Sequence, residues 1–251
     1  MDAHELATAL ANPVQSLGAA FYFAEGTRER AAAQGLNVYQ FYGLGRAGVM
    51  GNVEPEEVRE AFAFFHPDVI DVIYAAPRGT HDPVAVAAAH VDAAFAFADQ
   101  TFASVDPALL AGVVDATRWV MEGVDAGRYP LVDGYRRVDS PPHVTGGAYL
   151  ATIQLRELRG AVHIDAVARA ALTPTQACYL QDPTVFALHG YHDEDVPEMT
   201  EDLPARKERA EAWTDESMAR YLDVMDDHAR AALLDGVRAM AAALADQVAP
   251  G

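Results

Sequence analysis

The sequence predicts a mainly α-helical protein, and three observations carry that expectation. Asp82-Pro83, Asp106-Pro107 and Thr173-Pro174 each set a capping side chain before a proline at the first helical position. Ala85 to Ala98 is apolar around nearly its whole circumference, the pattern of a helix buried in the middle of a bundle. Gly35 and Gly123 follow long patterned segments as C-terminal stops.

In chain order, helices are expected near 3–11, 14–34, 37–49 and 55–65, the last opened by the acids of Glu54-Pro55-Glu56-Glu57 against the helix dipole. A helix near 68–75 has a short strand as its alternative, because Val69-Ile70-Asp71-Val72-Ile73-Tyr74 is rich in β-branched residues. Helices near 83–103 and 107–123 follow the Asp-Pro starts. Gly127, Pro130, Gly134, Pro141 and Pro142 make 126–142 an extended linker between an N-terminal helical domain, 1–125, and a C-terminal domain, 143–251. That second part holds helices near 144–158, 161–171, 174–181, 205–212, 215–225 and 228–247, with an irregular acidic stretch from Asp182 to Pro204.

Composition narrows the function classes. The chain has 251 residues, 18 basic against 37 acidic, and a net charge of -19, with Lys207 its only lysine. Such a balance repels polyanions, and specific DNA binding normally needs a basic face to neutralise phosphates, so nucleic acid is not the expected partner. No apolar run is long enough for a membrane span, and the N-terminus lacks a basic region followed by an apolar stretch. The single cysteine, Cys178, fits a reducing compartment and a cytoplasmic location. A homodimer is compatible with the sequence.

The sharpest candidates for chemistry are Arg156, Arg159 and His163. Their spacing of three and four places them on one helix face, where two guanidiniums and an imidazole suit a carboxylate or phosphate. The plain alternative is an ion-pair network with Glu157, Asp165 or acids elsewhere. Gly160 permits close approach of a ligand or another backbone. Arg46 lies in the glycine-spaced run Gly43-Leu44-Gly45-Arg46-Ala47-Gly48, which permits close helix packing and lacks the ending of a phosphate loop. It pairs with a carboxylate or a ligand, and Tyr42 beside it can donate a hydrogen bond. His66, before Pro67, either caps a helix end or faces a pocket as a base or metal ligand. His189 and His192 sit among acids, but no third histidine has fixed spacing, so no metal ligand is assigned. His90 reads as a satisfied core histidine, and Cys178 as a buried, inert thiol. Aromatics concentrate early, from Phe21 to Tyr74, enough for a core and an aromatic-walled pocket. No motif names a cofactor.

The stretches Phe21-Tyr22-Phe23-Ala24-Glu25, Phe41 to Gly51, Phe64-Phe65-His66-Pro67, Gly127-Arg128 and Leu155 to His163 resemble an actinobacterial family of helix-turn-helix, SalK-like proteins. Leu158 and Ala161-Val162 depart from the family's pattern of histidine and Asp-Gly at those places. The resemblance implies a helical N-terminal part plus a winged-helix-like C-terminal part, here with a reduced wing, because Met225-Asp226-Asp227-His228 runs almost directly into a helix. It implies fold, not a particular activity. Residues 159–170, a short turn and 174–181 do have helix-turn-helix spacing, yet the second helix contains no Lys or Arg, and Asp182 follows it.

The expected function is binding of an apolar or aromatic ligand with an anionic group, in a protein that could be an enzyme of specialised metabolism. Tyr42, Arg46, Arg156 and Arg159 would hold the ligand, and His163 or His66 would exchange a proton. A helix-turn-helix transcription regulator and a non-catalytic scaffold are the alternatives.

Overall fold

The computed structural model describes residues 1–248. Fourteen α-helices are found among them and no strand: α1 (Ala3–Ala19), α2 (Glu25–Ala33), α3 (Val38–Gly48), α4 (Pro55–Ala61), α5 (Pro67–Ile70), α6 (Ala76–Arg78), α7 (Pro83–Thr101), α8 (Pro107–Glu122), α9 (Pro130–Arg136), α10 (Val144–Arg169), α11 (Pro174–Gln181), α12 (Pro183–Leu188), α13 (Leu203–Leu222) and α14 (Asp227–Val248). The β-branched segment Asp71–Ala75 is a π-helical turn joining α5 to α6, so the strand alternative is not taken. None of the described helices is long and apolar enough to cross a membrane.

The proline caps form as expected: Asp82, Asp106 and Thr173 each accept a hydrogen bond from the backbone N–H of the second or third residue of the helix that follows. Breaks expected at Pro13, Gly160 and near 213 do not occur. Pro13 lies inside α1, because Leu6, Leu10, Val14 and Leu17 form one buried stripe that continues past it. The stretches 144–158 and 161–171 merge into α10, and 205–212 and 215–225 merge into α13. The segment expected as an extended linker instead carries α9, which buries Leu131, Val132 and Tyr135. The irregular stretch after Asp182 contains α12 and a short turn of 3-10 helix at Asp193–Asp195. No strand occupies the place of a wing among the described residues.

α10 is the central element, in contact with α1, α7, α8, α9, α11 and α13. The main core extends around it from Ala3 to Met240, crossing the expected boundary because α1 packs on α10, α13 and α14. α7 is buried on one side only: its inner face presents Val86, His90 and Ala94, while Ala85 and Ala88 are exposed, where an alanine costs little. The glycines of α3 explain how α3 and α7 approach. A Cβ at Gly45 would sit 2.4 Å from the His90 ring, and one at Gly48 would sit 2.0 Å from the Pro83 carbonyl oxygen.

The end of α10, α11 and α13 surround a second, smaller core of Val167, Leu172, Ala177 and Leu203. The turn from α10 to α11 passes through Ala171 at φ 56, the one non-glycine positive φ among the described residues. α12 packs back on α11, stacking Phe186 on Tyr191 beside Cys178.

Candidate functional site

Between the main core and this smaller unit lies a cleft of about 770 Å³, within the usual size range of ligand sites. Tyr42, Arg46, Arg156, Arg159 and His163 all line it, so five of the six sequence-selected residues converge. α10 supplies its floor, α3 and the end of α4 one wall, and α11 with His189 the other.

The deepest part is a charged cluster. Arg46 donates to Glu157 in a two-pronged pair, from Nε at 3.0 Å and Nη2 at 2.7 Å. Arg156 donates from Nη1 to the same carboxylate at 2.7 Å and to the Tyr22 hydroxyl at 3.1 Å. Glu157 is 2% exposed. Two buried guanidiniums therefore share one carboxylate. Burial opposes the charge on Glu157, but Arg46 and Arg156 outweigh it and hold the carboxyl below its usual value. Burial likewise opposes the charge on Arg46, and Glu157 together with Tyr42 and Tyr22 more than offsets it. The Arg46 guanidinium carbon lies 4.2 Å from the Phe62 ring centre, a cation–π contact. Arg156 reaches this place because Gly18 of α1 leaves room: a Cβ there would stand 2.6 Å from the Arg156 Cδ.

Donors remain unused. The Arg156 Nε is buried with no hydrogen-bond partner among the described residues. The Tyr42 hydroxyl accepts from Arg46 Nη1 at 3.1 Å; it was expected to donate, and its proton is left for another acceptor.

Arg159 sits differently. It lines the cleft but turns to α13, 3.5 Å from Glu211 and 3.6 Å from Asp215. Asp165, named in the ion-pair alternative, instead accepts from Arg128 and Tyr129. His163 also meets α13, its Nδ1 lying 2.9 Å from the Thr214 hydroxyl. Thr214 donates its single proton to the Ala210 carbonyl at 2.7 Å, so it can only accept from the imidazole. Nδ1 therefore carries the proton, and Nε2 keeps its lone pair. Burial lowers the His163 pKa from its ordinary value and favours the neutral ring; Glu211 pulls the other way and Arg159 adds to the lowering.

His66 does not join the site. Its Nδ1 accepts from the Asp68 backbone N–H at 3.2 Å and so caps the start of α5, not the carbonyl end of α4. His189, passed over as a site residue, does line the cleft, edge-on to Phe65 with ring centres 4.5 Å apart. Its Nδ1 bonds the Val185 carbonyl at 2.8 Å, so the nearby Cys178 gains no base, and burial pushes that thiol up to about 11. His90 is fully buried against Phe21, Tyr22 and Phe41, but it is not a satisfied core histidine. Neither ring nitrogen has a partner among the described residues, and burial pushes its pKa down to about 3. Sequence reasoning missed Thr214 and placed Tyr22 and Phe62 only among the early aromatics, because their contacts with His163, Arg156 and Arg46 depend on partners in other helices and leave no local spacing to read.

Much of the second helix of the hairpin is taken up by packing and capping. Ala177 and Cys178 are buried, Gln176 is used in the capping box with Thr173, and α12 packs against α11. Against known families, residues 7–206 match the profile of a helix-turn-helix family. Neither the curated proteins nor the solved structures give a match.

Proposed function

The chain belongs to a helix-turn-helix family, and from that premise we propose that it binds a small aromatic or apolar monoanion in the cleft beside the hairpin. The observation that carries this reading is the buried two-to-one ratio of Arg46 and Arg156 to Glu157. A buried charge without a counterion is costly, and an anionic ligand placed beside the unused guanidinium donors would balance it. A single excess charge favours a monocarboxylate over a dianion, as do the exposed carboxylates of Glu57 and Glu60 lining the cleft. Phe62, Phe65 and Tyr42 offer faces for an aromatic body. In a catalytic version, an enzyme of specialised metabolism, His163 Nε2 would take the proton. The closer SalK-like resemblance and the winged-helix-like description of the C-terminal part belong to this same reading. They rest on the motif residues and on the hairpin.

Titration calorimetry with biphenyl carboxylate and with neutral biphenylmethanol tests the proposal. The carboxylate should bind at least about tenfold tighter. Equal affinity for the two would reject an anion site.

The family and the hairpin favour a second reading, a transcription regulator. Cationic anchors are missing from α11, and Asp182, Asp193, Glu194 and Asp195 follow it closely. A sequence-selective gel shift at low salt with upstream DNA would put this reading first. In both readings the cleft touches the hairpin, since Ala177, Cys178 and Gln181 of α11 line it.

A further inference from the structure

The cleft floor carries more information than the anion site alone. Arg156, Gly160 and His163 are spaced by four and three residues, so they form one stripe along α10, and all three line the cleft. Between the two functional side chains Gly160 removes the obstacle: a Cβ there would meet nothing within 4 Å. The floor is therefore flat and open between a cationic end and an imidazole end. His163 lies seven positions after Arg156 on the helix, which sets their Cα atoms about 10 Å apart along the axis.

The two ends differ in chemistry. At one end Arg46 and Arg156 present only donors and positive charge. At the other, His163 donates its Nδ1 proton to Thr214, and Thr214 is held as an acceptor by its own bond to Ala210. Thr214 is fully buried, so water does not compete for its hydroxyl. The imidazole thus faces the ligand as an acceptor. A ligand without a donor at that end would leave the Nε2 lone pair unpaired once water is displaced.

From this geometry we infer that the ligand is an elongated aromatic acid with a hydrogen-bond donor about 10 Å from its carboxylate, recognised by His163 Nε2. Thr214 is the positioning residue that fixes which nitrogen does the recognising. The inference rests on the anion-site reading, and it adds the length and the polarity of the ligand's far end.

Three probes test it: biphenyl carboxylate, the hydroxybiphenyl carboxylate with its groups at opposite ends, and the shorter para-hydroxybenzoate. The hydroxybiphenyl acid should bind about fivefold to tenfold tighter than biphenyl carboxylate. For the shorter acid the hydroxyl should bring no gain over benzoate, because it cannot span the floor. His163→Phe should erase the difference between the two biphenyl acids, because it removes both the acceptor that the hydroxyl meets and the lone pair that biphenyl carboxylate leaves unpaired. Thr214→Val should shrink the difference, and nitrogen NMR should show the His163 ring leaving its single Nδ1–H form, a change that a merely structural threonine would not produce. Equal binding of the two biphenyl acids to the wild-type protein overturns this inference and leaves the anion site standing. A difference that survives His163→Phe also overturns it. Binding of neither acid overturns both.

Discussion

Two arginine clusters sit about one turn apart on α10, and they meet their carboxylates in different ratios. Arg46 and Arg156 share Glu157 alone, whereas Arg159 stands near both Glu211 and Asp215 and Lys207 stands near Glu211. The first cluster is buried, with Glu157 at 2% exposure, while Glu211 keeps 37% of its side chain in water. Balanced charge and the exposure of Glu211 let the second cluster stand without a further counter-ion, although Arg159 Nε and Asp215 Oδ1 are themselves buried without a hydrogen-bond partner among the described residues. The first lacks both, and its excess charge is what supports the proposed anion site. Similar residues on one helix thus differ in meaning through what faces them.

The largest expected effect separates the clusters directly. Glu157→Gln leaves two buried guanidiniums without a counter-charge and should cost about 3–5 kcal/mol in denaturant unfolding, whereas Glu211→Gln should cost less than about 1 kcal/mol. Similar losses would dissolve the distinction.

A second difference is acid sensitivity. His90 lies close enough to the buried cluster to feel the charges of Arg46 and Glu157. Its folded-state pKa of about 3 lies below the ordinary 6.5. Above 6.5 both states hold the ring neutral; below it, the unfolded chain takes up a proton that the folded chain refuses. Stability should therefore fall by roughly 1 kcal/mol per pH unit from 6.5 towards 3. His90→Leu should remove that share of the slope. Parallel curves for the two proteins between pH 6.5 and 5 would show that His90 is not the cause.

The smallest effects concern the backbone around the cleft. Gly160→Ala should stabilise α10 by about 0.5–1 kcal/mol, because the added methyl meets open space. It should also weaken binding of biphenyl carboxylate, since that space belongs to the cleft. Ala171→Gly should stabilise by a similar amount by relieving the positive φ of the hairpin turn, and it should leave binding alone. Thermal melts and titrations on both variants would show whether stability and affinity move in opposite directions only at Gly160.

The helical class and the proline caps were legible in the sequence because their causes are local. Helix ends governed by distant packing were not: Pro13 reads as a break until the buried stripe of α1 is seen to continue beneath α10 and α13. The linker residues Pro130 and Gly134 read as extended chain, yet α9 forms there because Leu131, Val132 and Tyr135 find the main core. In the site, spacing on α10 was enough to select Arg156, Arg159 and His163. It could not distinguish their partners, since Glu157 meets Arg46 across 111 residues and His163 meets Thr214 across 51. His66 was misplaced for the same reason. The proline after it marks a helix boundary, and only the fold shows that the imidazole caps the helix that follows.

The most direct test compares Arg156→Met with Arg159→Met by calorimetry with biphenyl carboxylate. Arg156→Met leaves a balanced Arg46–Glu157 pair, so the protein should fold, with circular dichroism as the check. The account predicts a loss of at least about tenfold in affinity for Arg156→Met and a change within about twofold for Arg159→Met. Equal losses, or a loss confined to Arg159→Met, would contradict the assignment of the anion site to the buried cluster.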